Sequence, residues 1–134
     1  MGKPSLELVL LPGELSICHL PAGSVLPAWA APGASAARGP LTSVTWTIHE
    51  TSAVCASMLV PDDVKADSGW RALEVMGPLE LSLTGILASL AGPLAEAGVA
   101  LFAVSTYDTD YVLIKTASLE SAIDTLRAAG HSVR

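Results

Sequence analysis

The amino-acid sequence predicts an α+β protein, and three observations predict it. Short runs rich in Val, Ile, Thr and Leu keep strand length and end at Gly, Pro or Asp turn signals. Two later segments instead repeat apolar residues at helical spacing. In the second half these elements follow the order strand, helix, strand, strand, helix, strand. That is the ferredoxin-like order, an antiparallel four-stranded sheet with two helices on one face. The first half reads as four or five strands with at most one small helix, a degenerate version of the same unit. The expected division is an N-terminal domain over 1–62 and a C-terminal domain over 68–134.

Each element has its own signal. "LELVLL" (6–11) is an apolar run stopped by the turn pair Pro12-Gly13, and "ELSICHL" (14–20) alternates. Together they predict a hairpin, with Leu15, Ile17 and His19 on one face and Ser16, Cys18 and Leu20 on the other. The stretch 21–40 is rich in Ala, Pro, Gly and Ser, and Pro27 allows only a short helix there. "TSVTWTIHE" (42–50) and "TSAVCASML" (51–59) predict a second hairpin turning at His49-Glu50-Thr51. "PDDVKADSG" (61–69) has turn composition and marks the boundary, with Asp62, Asp63 and Asp67 as a solvated loop. "WRALEVM" (70–76) is a strand.

"LTGILASLAGPLAEAG" (83–98) places Ile86, Leu87, Leu90 and Leu94 at helical spacing, capped by Thr84 and stopped by Gly98. Pro93 should kink or split this helix, since it removes a hydrogen bond in mid-run. "VALFAVST" (99–106) and "DYVLIK" (110–115) are strands. "SLESAIDTLRAAG" (118–130) is amphipathic, with Ser118 as cap, Leu119, Ala122, Ile123 and Leu126 as apolar face, and Gly130 as stop. "HSV" is a last short strand.

The totals exclude several functions. The 134 residues suit one compact domain or two small ones, and 51% apolar with 15% charged content builds a core. A net charge of −6 suits neither a phosphate backbone nor an anionic membrane. No apolar run reaches the roughly 18 to 20 residues that span a bilayer. Met1-Gly2-Lys3-Pro4 is not an export signal. The expected location is therefore the cytoplasm, with Cys18 and Cys55 as reduced, buried thiols.

Little in the chain suggests catalysis. There is no glycine-rich phosphate loop. His19, His49 and His131 lack partners at metal-ligand spacing, so neither a metal nor another cofactor is expected. His131, just past a helix end, reads as a dipole or surface group. The dense polar cluster is Thr106, Tyr107, Asp108 and Asp110, between two strongly apolar strands. Its carboxylates can receive an ammonium or guanidinium. The helix start at Thr84-Gly85-Ile86 offers N–H groups for a carboxylate, and Gly85 admits a ligand close to the backbone. The plainer alternative stands beside this one: Asp108 as a turn residue, Asp110 as a strand starter, Gly85 as part of a first helical turn.

The second half, with Gly92-Pro93-Leu94-Ala95-Glu96 followed by Ser105-Thr106-Tyr107-Asp108-Thr109-Asp110 and an apolar strand, resembles the ACT domain. More narrowly it resembles the ACT subtype of the CASTOR arginine sensors and their small bacterial relatives. Upstream, "LELVLLPGELSICHL" and "LTSVTWTIHETSAVCAS" are similar to the family's opening strand pairs. The resemblance implies two tandem ACT domains, the N-terminal one degenerate, in a non-catalytic sensor. It also implies a homodimer, with ligand held where two C-terminal ACT domains pair. One side supplies Val99, Ala100 and Leu101. The other supplies Thr84, Gly85 and Ile86 with Thr106, Tyr107 and Asp110, and Asp108 adds a further acid. Leu83 and Ala100 stand where the family's arginine-binding half has Glu and Ser. The implied ligand is thus a free amino acid, a cationic one being a candidate, and the regulated partner is unidentified. Two rival readings are an interaction module without ligand and a detached regulatory part of an amino-acid kinase such as aspartate kinase.

Overall fold

The computed structural model describes residues 5–30, 38–77, 79 and 84–134. They form a mixed α/β fold with two compact units, Met1–Leu11 with Arg71–Arg134, and Pro12–Trp70.

The discontinuous unit holds β1 (Glu7–Leu10), the second part of β5 (Ala66–Val75), α1 (Ile86–Glu96), β6 (Phe102–Ser105), β7 (Asp110–Lys115), α2 (Leu119–Ala128) and β8 (Ser132–Val133). The predicted strand-helix-strand-strand-helix-strand order is present from β5 to β8. The sheet runs β8-β1-β5-β7-β6. The expected hairpin of 6–11 with 14–20 does not form. β1 lies antiparallel to β5, with Leu8 opposite Val75, and parallel to β8, with Leu8 opposite Val133. This part of the eight-stranded sheet therefore has five strands, with β1 and β8 a parallel pair, where four antiparallel strands were expected. Burial explains the placement: Leu6 and Leu8 join Leu73, Val75, Val112, Ile114 and Val133 in one apolar cluster, with Leu90, Leu94 and Leu126 of the helices. A hairpin with the next strand would leave them outside it.

The second unit holds β2 (Leu15–Pro21), β3 (Ser43–Trp46), β4 (Glu50–Ala56) and residues 66–70 of β5, in the order β3-β4-β2-β5. β5 begins inside the stretch expected to be a turn. Asp67 pairs with Ile17, and the Ser68 and Ser16 hydroxyls are 2.9 Å apart, so pairing overrides the turn-like composition. The β3–β4 turn falls earlier than expected, because Thr47 Oγ1 accepts from the backbone N–H of His49 at 3.1 Å and Glu50 at 3.0 Å. As the sequence predicts, the helix after Pro27 is short, a 3-10 turn at Ala28–Ala30. Cys18 and Cys55 are buried and unbridged. The first unit carries the candidate site.

Candidate functional site

The site is built on the start of a helix and one tight turn. α1 runs unbroken from Ile86 to Glu96 through Pro93. The predicted split is absent, and the carbonyl that Pro93 leaves unpaired finds another donor. Proline leaves the carbonyl four residues earlier, at Ser89, without its helical donor. His131 Nε2 lies 3.0 Å from that oxygen, and His131 Nδ1 accepts the Leu6 N–H at 3.1 Å. The acceptor role of Nδ1 assigns the proton to Nε2, which donates to Ser89. His131 is only 5% exposed, so it is a buried structural group and not the surface group expected.

Both helices stop at the predicted glycines. Gly98 (φ 75°) and Gly130 (φ 99°) adopt the left-handed conformation. Val99 N–H donates to Leu94 O at 2.8 Å and His131 N–H to Leu126 O at 3.0 Å, closing Schellman ends. The predicted caps differ. Gly85 (φ 80°) occupies the N-cap of α1 in place of Thr84, and the Ser118 side chain makes no capping bond to α2. The Gly85 carbonyl accepts the first helical bond from Ser89 N–H at 2.9 Å.

Opposite this helix start, the turn 106–109 joins β6 to β7, with Ser105 paired to Asp110. Thr106 N–H donates to Thr109 O at 2.8 Å, and Thr109 N–H returns to Thr106 Oγ1 at 3.2 Å. Thr109 is buried, and its Oγ1 donates to Val75 O at 2.5 Å, tying the turn to β5. The Asp108 carbonyl accepts Leu79 N–H at 2.7 Å. A Cβ added at Gly77 would meet Asp108 O and Leu79 N, each at 3.0 Å, so the backbone of the turn packs closely against this glycine.

Between helix start and turn lies a cleft of about 290 Å³. Six residues singled out in the sequence line it: Gly85, Ile86, Thr106, Tyr107, Asp108 and Asp110. Leu79, Leu87, Ala88, Ser105 and Thr109 also line it and were missed. Thr109 had a readable signal, as the fourth residue of a turn opened by Thr106. The lining contains the two carboxylates and no basic side chain, so it favours a cationic group. Gly85 leaves open space, since a Cβ there would meet nothing within 4 Å. Tyr107 stands 80% exposed at the rim.

Four predicted site residues lie elsewhere. Thr84 is exposed and outside the lining. Val99 is buried and Leu101 packs on the main core, while Ala100 is exposed between them. The predicted strand 99–106 is correspondingly shortened to Phe102–Ser105, because Val99 closes the end of α1. Leu83 lies outside the described residues. On the same unit Tyr111 Oη donates to Glu74 Oε2 at 3.2 Å. Burial, with the Glu74 carboxylate and then Asp108 reinforcing it, raises the Tyr111 pKa above its ordinary value. Among the described residues no three His, Cys, Asp or Glu side chains converge as a metal site. Nor is any helix among them long and apolar enough to cross a membrane.

Residues 65–128 match the ACT domain family, and the ferredoxin-like order with two helices on one core is the fold of that domain. The chain belongs to the same family as protein Atu0741 of Agobacterium tumefaciens, 37% identical over 98% of this chain and 93% of that one, with a TM-score of 0.88. A second similarity is to the human cytosolic arginine sensor for mTORC1 subunit 1, 36% identical over 59 residues. That match covers 43% of this chain and only 18% of the sensor. The fold is also that of the regulatory subunit of aspartate kinase from Thermus thermophilus. There the TM-score is 0.58, with 11% identity over 91% of this chain and 96% of that one.

Proposed function

We propose that this chain is a non-catalytic regulatory protein that binds a free amino acid in the cleft between the start of α1 and the β6–β7 turn. One observation carries the reading. Two groups of residues, a helix start suited to a carboxylate and an acidic turn suited to an amine, line one cleft although about 20 residues separate them in sequence. A zwitterion needs both. The lining acids favour a cationic amino acid. The arginine sensor among the relatives supports arginine as a candidate, while Ala100 in place of the expected Ser argues for testing others. Val99, Ala100 and Leu101 lie outside the cleft of their own chain, and in this reading they reach a ligand from a second copy. The working form is thus a homodimer with two symmetry-related sites, each chain a tandem pair of ACT domains with the N-terminal one degenerate. It acts in the cytoplasm on a partner protein.

The test is a thermal-shift screen of the purified protein against the twenty amino acids, with its mass measured by light scattering in the same buffer. A dimer stabilised by one or a few amino acids is the expected result. A protein indifferent to all of them would overturn the reading and leave an interaction module.

A further inference from the structure

Strand β3 closes one side of the sheet in the Pro12–Trp70 unit, with β4 as its one neighbour among the described residues. Thr47 N–H donates to Glu50 O at 2.9 Å, so the alternation of the ladder turns the main chain of Ser43 and Thr45 toward β4. The N–H and C=O groups of Val44 and Trp46 therefore point away from the sheet, and among the described residues they have no partner. The side chains follow the two-residue period of a strand. Val44 packs against the small core of this unit, and Trp46, on the same face, is 58% exposed. Thr45 is exposed on the other face. Proteins guard such an edge with charge, proline or a bulge. β3 has none of these: its four pairs to β4 keep a regular register, and no charged residue stands between Arg38 and His49. Outward main-chain groups call for another strand, which presents donors and acceptors at the matching repeat. A chain of net charge −6 meets its own copy with least repulsion where charge is missing, and this edge is such a place.

We propose that β3 is an interface between two copies of this chain, joined edge to edge as antiparallel strands. The strand itself sets the register. A two-fold axis beside Thr45 places Thr45 opposite its counterpart, and Val44 opposite Trp46 of the second copy. Val44 and Trp46 then exchange both main-chain bonds in each of the two symmetric pairs, and every outward group of the strand is satisfied. Moving the axis one residue either way carries the bonded pairs past an end of β3 (Ser43–Trp46). The same register lays each exposed indole beside Val44 of the other copy, which continues the apolar face across the contact. Thr45 meets its counterpart on the opposite face. This contact lies wholly in the Pro12–Trp70 unit and needs neither the cleft nor its ligand.

The experiment reads β3 itself, so a pairing of C-terminal domains does not enter the result. Amide hydrogen exchange of the full chain is followed by NMR at high protein concentration. The Val44 and Trp46 amides should exchange at least about tenfold more slowly in the wild type than in Thr45→Lys, which sets two ammonium groups against each other across the axis. Thr45 is exposed, so this variant should keep its far-ultraviolet circular dichroism. A second variant, Thr45→Cys, should form a disulfide between chains under mild oxidation. Its two new thiols face each other in an unbonded cross-strand pair, whose Cα atoms stand about 4.5 Å apart, within disulfide reach. Fast exchange of both amides in the wild type would overturn the proposal and leave the edge to a strand of a different protein. Protection that survives in Thr45→Lys would overturn it too, by assigning the cover to the same chain, as would introduced thiols that stay free.

Discussion

The His131 imidazole donates to the Ser89 carbonyl at 3.0 Å, the oxygen that Pro93 leaves without a helical partner. A ring from beyond α2 thus completes the hydrogen bonding of α1, 42 residues away in sequence. His131→Ala strands both Ser89 O and Leu6 N–H in the core. The expected cost is about 2 to 4 kcal/mol, read by urea denaturation. Pro93→Ala supplies a new N–H to Ser89 O, so the double variant should lose less than His131→Ala does alone. Strict additivity of the two changes would show that the imidazole does not stand in for the missing donor.

Asp110→Asn keeps the size of the side chain and removes its charge from the cleft. The expected outcome is loss of the thermal stabilisation given by the bound amino acid, with the melting of the free protein unchanged. A ligand at 100 times its Kd adds about 2.7 kcal/mol, a shift easily read in a melt. Equal stabilisation of variant and wild type would remove Asp110 from the site.

Gly77→Ala tests the support of the turn and not its charge. The added methyl meets Asp108 O and Leu79 N at 3.0 Å, a tight approach relieved only if the turn shifts by a few tenths of an ångström. Amino-acid binding should weaken at least about tenfold, equivalent to roughly 1.4 kcal/mol, as measured by calorimetry. Binding at wild-type strength would mean that the turn tolerates displacement.

Thr109→Val removes a buried hydroxyl but leaves its shape. Val75 O then loses its donor, and the expected loss of stability is about 1 to 3 kcal/mol in chemical denaturation. A neutral result would show that Val75 O finds another partner.

Tyr111 gives a pH prediction. Its pKa is raised in the fold, so the folded state holds the phenolic proton more tightly than the unfolded chain. Its stabilising contribution is therefore complete below the unfolded pKa of about 10 and is lost as pH rises through the higher folded value. In a Tyr107→Phe background, ultraviolet titration should show one late tyrosinate transition. Glu74→Gln should move it earlier without restoring the ordinary value, because burial is the larger cause. An unchanged transition would remove Glu74 from the effect.

Local signals made much of this unit readable. The apolar spacing of Leu90 and Leu94, and of Ala122 and Leu126, marks the buried helix faces, and Gly98 and Gly130 mark positions that need positive φ. Both walls of the cleft were visible as a polar turn and a glycine at a helix start. What stayed hidden depends on distant partners. β1 pairs with β5 and β8 because the core needs Leu8, a demand absent from residues 6–20. Residues 66–69 read as a turn until β2 pairs with them. Pro93 reads as a break until His131 supplies the missing donor. Leu79 reaches the cleft through one backbone bond to Asp108, which no periodicity encodes.

The position of β1 between β5 and β8 also sets an order of events at the ribosome. Leu6 and His131, joined in the finished fold, are 125 residues apart, so β1 emerges long before its parallel partner exists. The intervening segment Pro12–Trp70 is uninterrupted and can condense while β1 waits. The sheet beneath the cleft closes only once β8 is available, a contact of high sequence separation that makes this step slow. A chain made only as far as α2 therefore holds both walls of the cleft but lacks the strand that closes the sheet behind them.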